Sequence, residues 1–74
     1  MQINAIIEHD QNGYFAYVPS LKGCVSQGDS LEVVLENIKE AIELYLEDID
    51  EFERNAITKK FCIIAPINVS EVHV

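Results

Sequence analysis

The stretch 31-LEVVLENIKEAIELYLEDI-49 decides the fold. Its apolar residues fall at Leu31, Val34, Leu35, Ile38, Ala41, Ile42, Tyr45 and Ile49, the spacings of three, four and seven that build one stripe along an α-helix. At about 1.5 Å per residue such a helix is roughly 28 Å long, enough to cover one face of a small sheet. Gly28, Asp29 and Ser30 supply its exit turn and cap: Asp29 with Glu32 has the reciprocal capping spacing, and Ser30 suits a start one residue later.

Upstream lies the sheet to be covered. In the first nine residues the odd positions Met1, Ile3, Ala5, Ile7 and His9 oppose Gln2, Asn4, Ile6 and Glu8, the alternation of a half-buried strand. Asp10, Gln11, Asn12 and Gly13 punctuate it, with Asn-Gly tolerating the positive φ of a tight hairpin. A second strand, Tyr14 to Val18, returns antiparallel until Pro19, which has no backbone donor, ends the ladder. Lys22-Gly23 turns the chain again into a short extended stretch, Cys24 to Gln27. Downstream, Asp50 to Lys60 reads equally as a helical tail or a linker. Phe61 to Ala65 and Val69 to Val74 have strand-like composition interrupted by Pro66 and Asn68, so an irregular last strand is expected. The expectation is an α+β fold in the order β-β-β-α-β, a small antiparallel sheet packed by one main helix.

Length and charge narrow the function classes. Seventy-four residues without an internal repeat make one domain, residues 1–74, whose single core is small. Five basic residues against 13 acidic ones give a net charge of −8, which disfavours direct binding to nucleic acid or anionic lipid and favours a basic macromolecular partner. No apolar run is long enough to span a membrane, and the start MQINAIIEHD lacks the basic head and apolar core of a signal peptide, so no membrane association and a cytoplasmic location are expected. Cys24 and Cys62 belong to no CxxC pair or cysteine-histidine cluster, and reduced thiols follow.

Glu32, Glu36, Glu40, Glu43 and Glu47 repeat at four, four, three and four residues and form an acidic rail opposite the core stripe. A solvated helix face is the plain reading; steering of a basic partner is the functional one. Asp29, Glu32 and Glu36 favour the helix dipole, whereas Glu47 and Asp48 oppose it. Val33 and Leu44, eleven residues apart beside the rail, are candidates for an oligomer contact against the reading of two ordinary exposed side chains. Tyr14, Phe15, Tyr17 and Val18 suit a sheet apolar on both faces, one covered by the helix and the other by another chain. Catalysis finds little support. His9 is flanked by Glu8 and Asp10, but strand alternation points both away from its face. His73 lies at the terminus, Cys24 and Ser26 lack a neighbouring activating group, and neither the acidic residues nor the histidines follow a calcium or zinc pattern. No enzyme activity, metal or cofactor is expected.

The pieces 13-GYFAYVP-19, 23-GC-24, 27-QGDSLE-32 and 37-NIKEAIELYLE-47, in this order and spacing, resemble the HicB-like antitoxin family. The match runs from about Ile3 to Glu47, and Val69 to Val74 is similar to the final strand of short members. The resemblance implies a partial RNase H-like fold with architectural roles for Gly13, Pro19, Gly23-Cys24 and Gly28. It also implies a function: antitoxin of a type II toxin-antitoxin system, neutralising a small basic HicA-like RNA-cleaving toxin by covering its active and RNA-binding surface. The chemically active histidine would then be the toxin's. Candidate toxin contacts are Glu8, Asp10, Phe15 and Tyr17, with a helix-centred surface of Glu36, Glu40 and Glu43 as the other option. A homo-oligomer is expected, a dimer first and a tetramer second. Lys22 stands where many members have proline, Val33 where many have glutamate, and the DNA-binding module that follows in many relatives is absent, which makes direct autorepression unexpected. The alternative function is a solitary structural or regulatory oligomerisation domain with no toxin partner.

Overall fold

A computed structural model describes residues 2–71. The elements are β1 (Ile6–Asp10), β2 (Gly13–Tyr17), β3 (Val25–Gly28), α1 (Leu31–Asp48) and α2 (Glu51–Thr58). The three strands form one antiparallel sheet in the order β1-β2-β3, and α1 lies across β2 and β3.

The first hairpin is tight because Asp10 pairs with Gly13 and only two residues intervene. The Asp10 carboxylate accepts the Asn12 N–H at 2.8 Å, and the left-handed backbone falls on Gly13 alone, at φ 124°. Asn12 takes no positive φ. After Tyr17 the chain leaves the sheet through a knot of local bonds. Val18 N–H donates to the Cys24 carbonyl at 3.1 Å, Leu21 N–H to Val18 at 3.1 Å and Cys24 N–H to Leu21 at 3.0 Å. These bonds press Leu21 into the core at 1% exposure, beside Ala16, Val18, Cys24, Val34 and Ile38.

Ser30 is the cap of α1. Its backbone is extended and its hydroxyl accepts the Val33 N–H at 3.1 Å, so the later of the two sequence options holds. Gly28 permits this junction because a Cβ there would stand 2.8 Å from the Val34 nitrogen and 2.9 Å from Val33 Cγ1. The Asn37 amide donates to the Gln27 carbonyl at 2.9 Å and ties the helix to the end of β3. At the far end α1 has no basic residue in its last turn, yet Arg54 of α2 donates to the Leu46 carbonyl at 3.0 Å. A guanidinium from the next helix thus meets the negative dipole end that Glu47 and Asp48 burden.

Two expectations need correction. Of the two readings open for residues 50–60 the helix holds, as α2 over Glu51–Thr58 with the Asp50 carboxylate accepting the Glu53 N–H at 2.8 Å, but the last strand does not follow it. The described order is therefore β-β-β-α-α: residues 60–71 form no strand, while Val72, His73 and Val74 lie outside the described residues. The start of this segment lies against its own N-terminal residues, Lys60 and Cys62 sharing a cleft with Ile3 and Asn4, yet it pairs with no strand among the described residues. The core stripe is also narrower than its periodicity implied. Leu31 and Leu35 remain 47% exposed, Leu31 in the helix's first turn and Leu35 on the flank beyond β1 where no fourth strand lies.

Candidate functional site

Register sorts the sheet residues into two faces. Ile7, Ala16 and Ser26 make one cross-strand row, and His9, Tyr14 and Gly28 the next; fully buried Ala16 identifies this side as the one under α1. The opposite face carries the row Ile6, Tyr17 and Val25, then the row Glu8, Phe15 and Gln27, with Asp10 one step further along β1. Nothing among the described residues covers it: Phe15 is 41% and Val25 51% exposed. The Phe15 and Tyr17 rings neighbour each other, centroids 6.2 Å apart and planes inclined by 34°.

Four of the sequence candidates thus converge. Glu8, Asp10, Phe15 and Tyr17 share the uncovered sheet face, with the carboxylates at the hairpin end and the apolar side chains towards the middle. Glu36, Glu40 and Glu43 are exposed on α1, in the other layer, and do not join that patch. Val33 and Leu44 are exposed at 43% and 56% along the flank of α1 that runs beside β3. Sequence reading missed Ile6, Val25 and Gln27 as members of the sheet face. The signal was present in the period-two alternation, but only the strand register says which residues of three strands lie side by side.

The possible catalytic groups resolve into structural roles. The His9 ring stacks on Tyr14 at a centroid distance of 4.0 Å with planes 6° apart. Cys24 is buried, and that burial raises its thiol pKa, the opposite of what a nucleophile needs. Ser26 faces α1 from the edge strand β3, where its one ladder partner is Ala16. His73 lies outside the described residues. Among the described residues no group of three or more histidine, cysteine, aspartate and glutamate side chains is arranged to hold a metal, and no helix is long and apolar enough to cross a membrane.

An open, half-apolar face edged by carboxylates, on a small α+β domain, is suited to contact with another macromolecule. Comparison with known proteins gives the chain a family. Residues 3–69 match the family described as HicB_like antitoxin of bacterial toxin-antitoxin system. A UPF0150 protein of Helicobacter pylori strain J99 is 61% identical over 70 residues, covering 95% of this chain and 97% of the relative. A UPF0150 protein of Synechocystis is 46% identical over 57 residues, with 77% and 71% covered, and one of Archaeoglobus fulgidus is 52% identical over 48 residues, with 64% and 70% covered. No solved structure gives a significant match. The chain belongs to the HicB-like antitoxin family of toxin-antitoxin systems, and membership implies a toxin as its partner.

Proposed function

We propose that this protein neutralises a small, basic, HicA-like RNA-cleaving toxin by laying its uncovered sheet face over the toxin's active and RNA-binding surface. The observation that carries the reading is the convergence of Glu8, Asp10, Phe15 and Tyr17 on one open face. Phe15, Tyr17 and Val25 supply apolar area that excludes water at the centre of such an interface. Glu8 and Asp10 meet cationic side chains at its rim, where the net charge of −8 speeds encounter and keeps RNA away from the same patch. Glu36, Glu40 and Glu43 would steer the approach from the helix layer without touching the toxin. The protein acts in the cytoplasm as a single domain over residues 1–74. It self-associates, a dimer first and a tetramer second, with the exposed Val33 and Leu44 flank of α1 as an oligomer contact.

The test is co-expression with the basic product of the adjacent gene, reading co-purification and RNA cleavage. A stable complex with suppressed cleavage is expected. Replacing Phe15 by alanine weakens it at least tenfold, as truncating an aromatic anchor does in interfaces of this kind. Paired Glu8→Lys and Asp10→Lys exchange lowers the association rate and also speeds dissociation, whereas Glu36→Lys and Glu40→Lys lower the association rate and its salt dependence and leave dissociation unchanged. A stable complex insensitive to Phe15 and Glu8 moves the interface to the helix; failure of any pair to form sinks toxin neutralisation and leaves the solitary oligomerisation domain.

A further inference from the structure

The monomer leaves two complementary surfaces bare. One is a trench of about 470 Å³ between the outer edge of β1 and α1, lined chiefly by Ile3, Ala5, Ile7, Leu35, Ile42 and Leu46. Since β1 ends the sheet, its outward backbone groups have no partner strand among the described residues. The other surface is the segment 61–70. Phe61 is 90%, Ile63 86%, Ile67 75% and Val69 77% exposed.

These side chains alternate. Odd positions Phe61, Ile63, Ala65, Ile67 and Val69 are all apolar, while even positions mix Cys62 and Ile64 with Pro66, Asn68 and Ser70. In an extended strand the odd residues therefore share one face, and their backbone groups share one edge. Pro66 falls on the other parity, where its missing N–H faces away from the neighbouring strand and interrupts no bond. A strand with one apolar face and a proline on its outer edge is what an added edge position beside β1 accepts.

Area and charge say whose trench it fills. The chain exposes 6420 Å², whereas a folded monomer of its mass has about 4,600 Å², an excess of about 1,800 Å². Its radius of gyration, 15.2 Å, exceeds the roughly 11 Å of a compact domain of this length. Two copies hiding that excess would bury roughly 3,600 Å², in the range of obligate homodimers. Residues 59–70 carry Lys59 and Lys60 and no carboxylate, while all 13 acidic residues lie elsewhere. The strand-forming residues 61–70 thus bring no like charge against the acidic body of another copy, and Lys59 and Lys60 just before them are attracted to it.

We propose that residues 61–70 of one copy add as a fourth strand to the β1 edge of a second copy, seating Phe61, Ile63, Ile67 and Val69 in its trench, and that the exchange is reciprocal in a closed two-fold dimer. The missing last strand of the fold is supplied in trans. The inference does not rest on toxin binding, because the uncovered sheet face takes no part in it.

Light scattering of the full chain across micromolar concentrations tests it, and a dimer is expected. Ile63→Lys with Ile67→Lys weakens dimerisation at least tenfold with an unchanged circular dichroism spectrum of the body, since neither side chain touches the core. Ile64→Lys, on the other parity, leaves dimerisation within about threefold. Leu35→Lys in the trench also gives a monomer, and mixing it with the Ile63/Ile67 variant restores a heterodimer through the one intact junction. A full chain that stays monomeric overturns the proposal. So does an Ile64 variant as damaging as the Ile63/Ile67 pair, or a mixture that fails to associate.

Discussion

Residues 6–48 and residues 60–71 differ in fate far more than in composition. The tail is the more apolar for its length, with seven apolar side chains in 12 residues, yet it buries none of them, whereas the body seals Ala16, Val18, Leu21, Cys24, Val34 and Ile38. Burial follows from having a partner surface and not from hydrophobicity alone. The strands of the body find one another through two-residue and seven-residue connections, and α1 is tied to their ends by Ser30, Gly28 and Asn37. The tail follows α2, a helix with no buried residue that touches the core through half-buried Ile57.

The sharpest way to break that comparison is to delete the same kind of side chain in each region. Leu21→Ala leaves a cavity at a fully buried site and is expected to cost about 2–4 kcal/mol in urea unfolding. Ile64→Ala, at an exposed site, should stay within about 0.5 kcal/mol. Equal effects would mean that the tail belongs to the cooperative unit. A step smaller, the two helix caps make the same bond in the two regions. Ser30→Ala should lower global stability by about 1 kcal/mol. Asp50→Ala should fray α2 in hydrogen exchange while leaving the global transition in place, because α2 contributes little to the core.

The smallest expected effect separates the cysteines. Cys62 is exposed and Cys24 buried, so iodoacetamide should label Cys62 in the native protein and Cys24 only after unfolding. Burial raises the Cys24 thiol pKa above its unfolded value. The neutral thiol is therefore the form the fold prefers, and its contribution is full below the ordinary thiol range and fades as pH rises through the raised value. Urea midpoints of the wild type should fall more steeply in alkali than those of Cys24→Ala, and parallel curves would remove this thiol from the account.

Much of this architecture was legible before any coordinates. The helix from Leu31, the hairpin at Gly13, the stop at Pro19 and the turn at Gly23 are local decisions, set by periodicity, caps and backbone freedom within a few residues. Glu8, Asp10, Phe15 and Tyr17 entered as candidate contacts through the family resemblance, and the strand register places them on one face. Leu21 was not recognisable as core, since a single apolar residue in a loop looks like any other until hydrogen bonds fold the loop inward. The choice between Asp29 and Ser30 also waited, because both have capping chemistry and only the folded backbone shows that the Ser30 hydroxyl takes the Val33 N–H.

By itself the sequence determined the strands, the main helix, the acidic charge and the family motifs, all of which rest on spacing along the chain. Tertiary structure decided what spacing does not encode: that the sheet candidates share a face and the helix glutamates do not, that α1 covers β2 and β3 and stops short of closing over β1, and that the apolar tail stays exposed and unpaired among the described residues. Strand-like residues 61–70 show the reason. A strand is completed only by a neighbouring edge, and whether an edge is within reach is a property of the assembled layers.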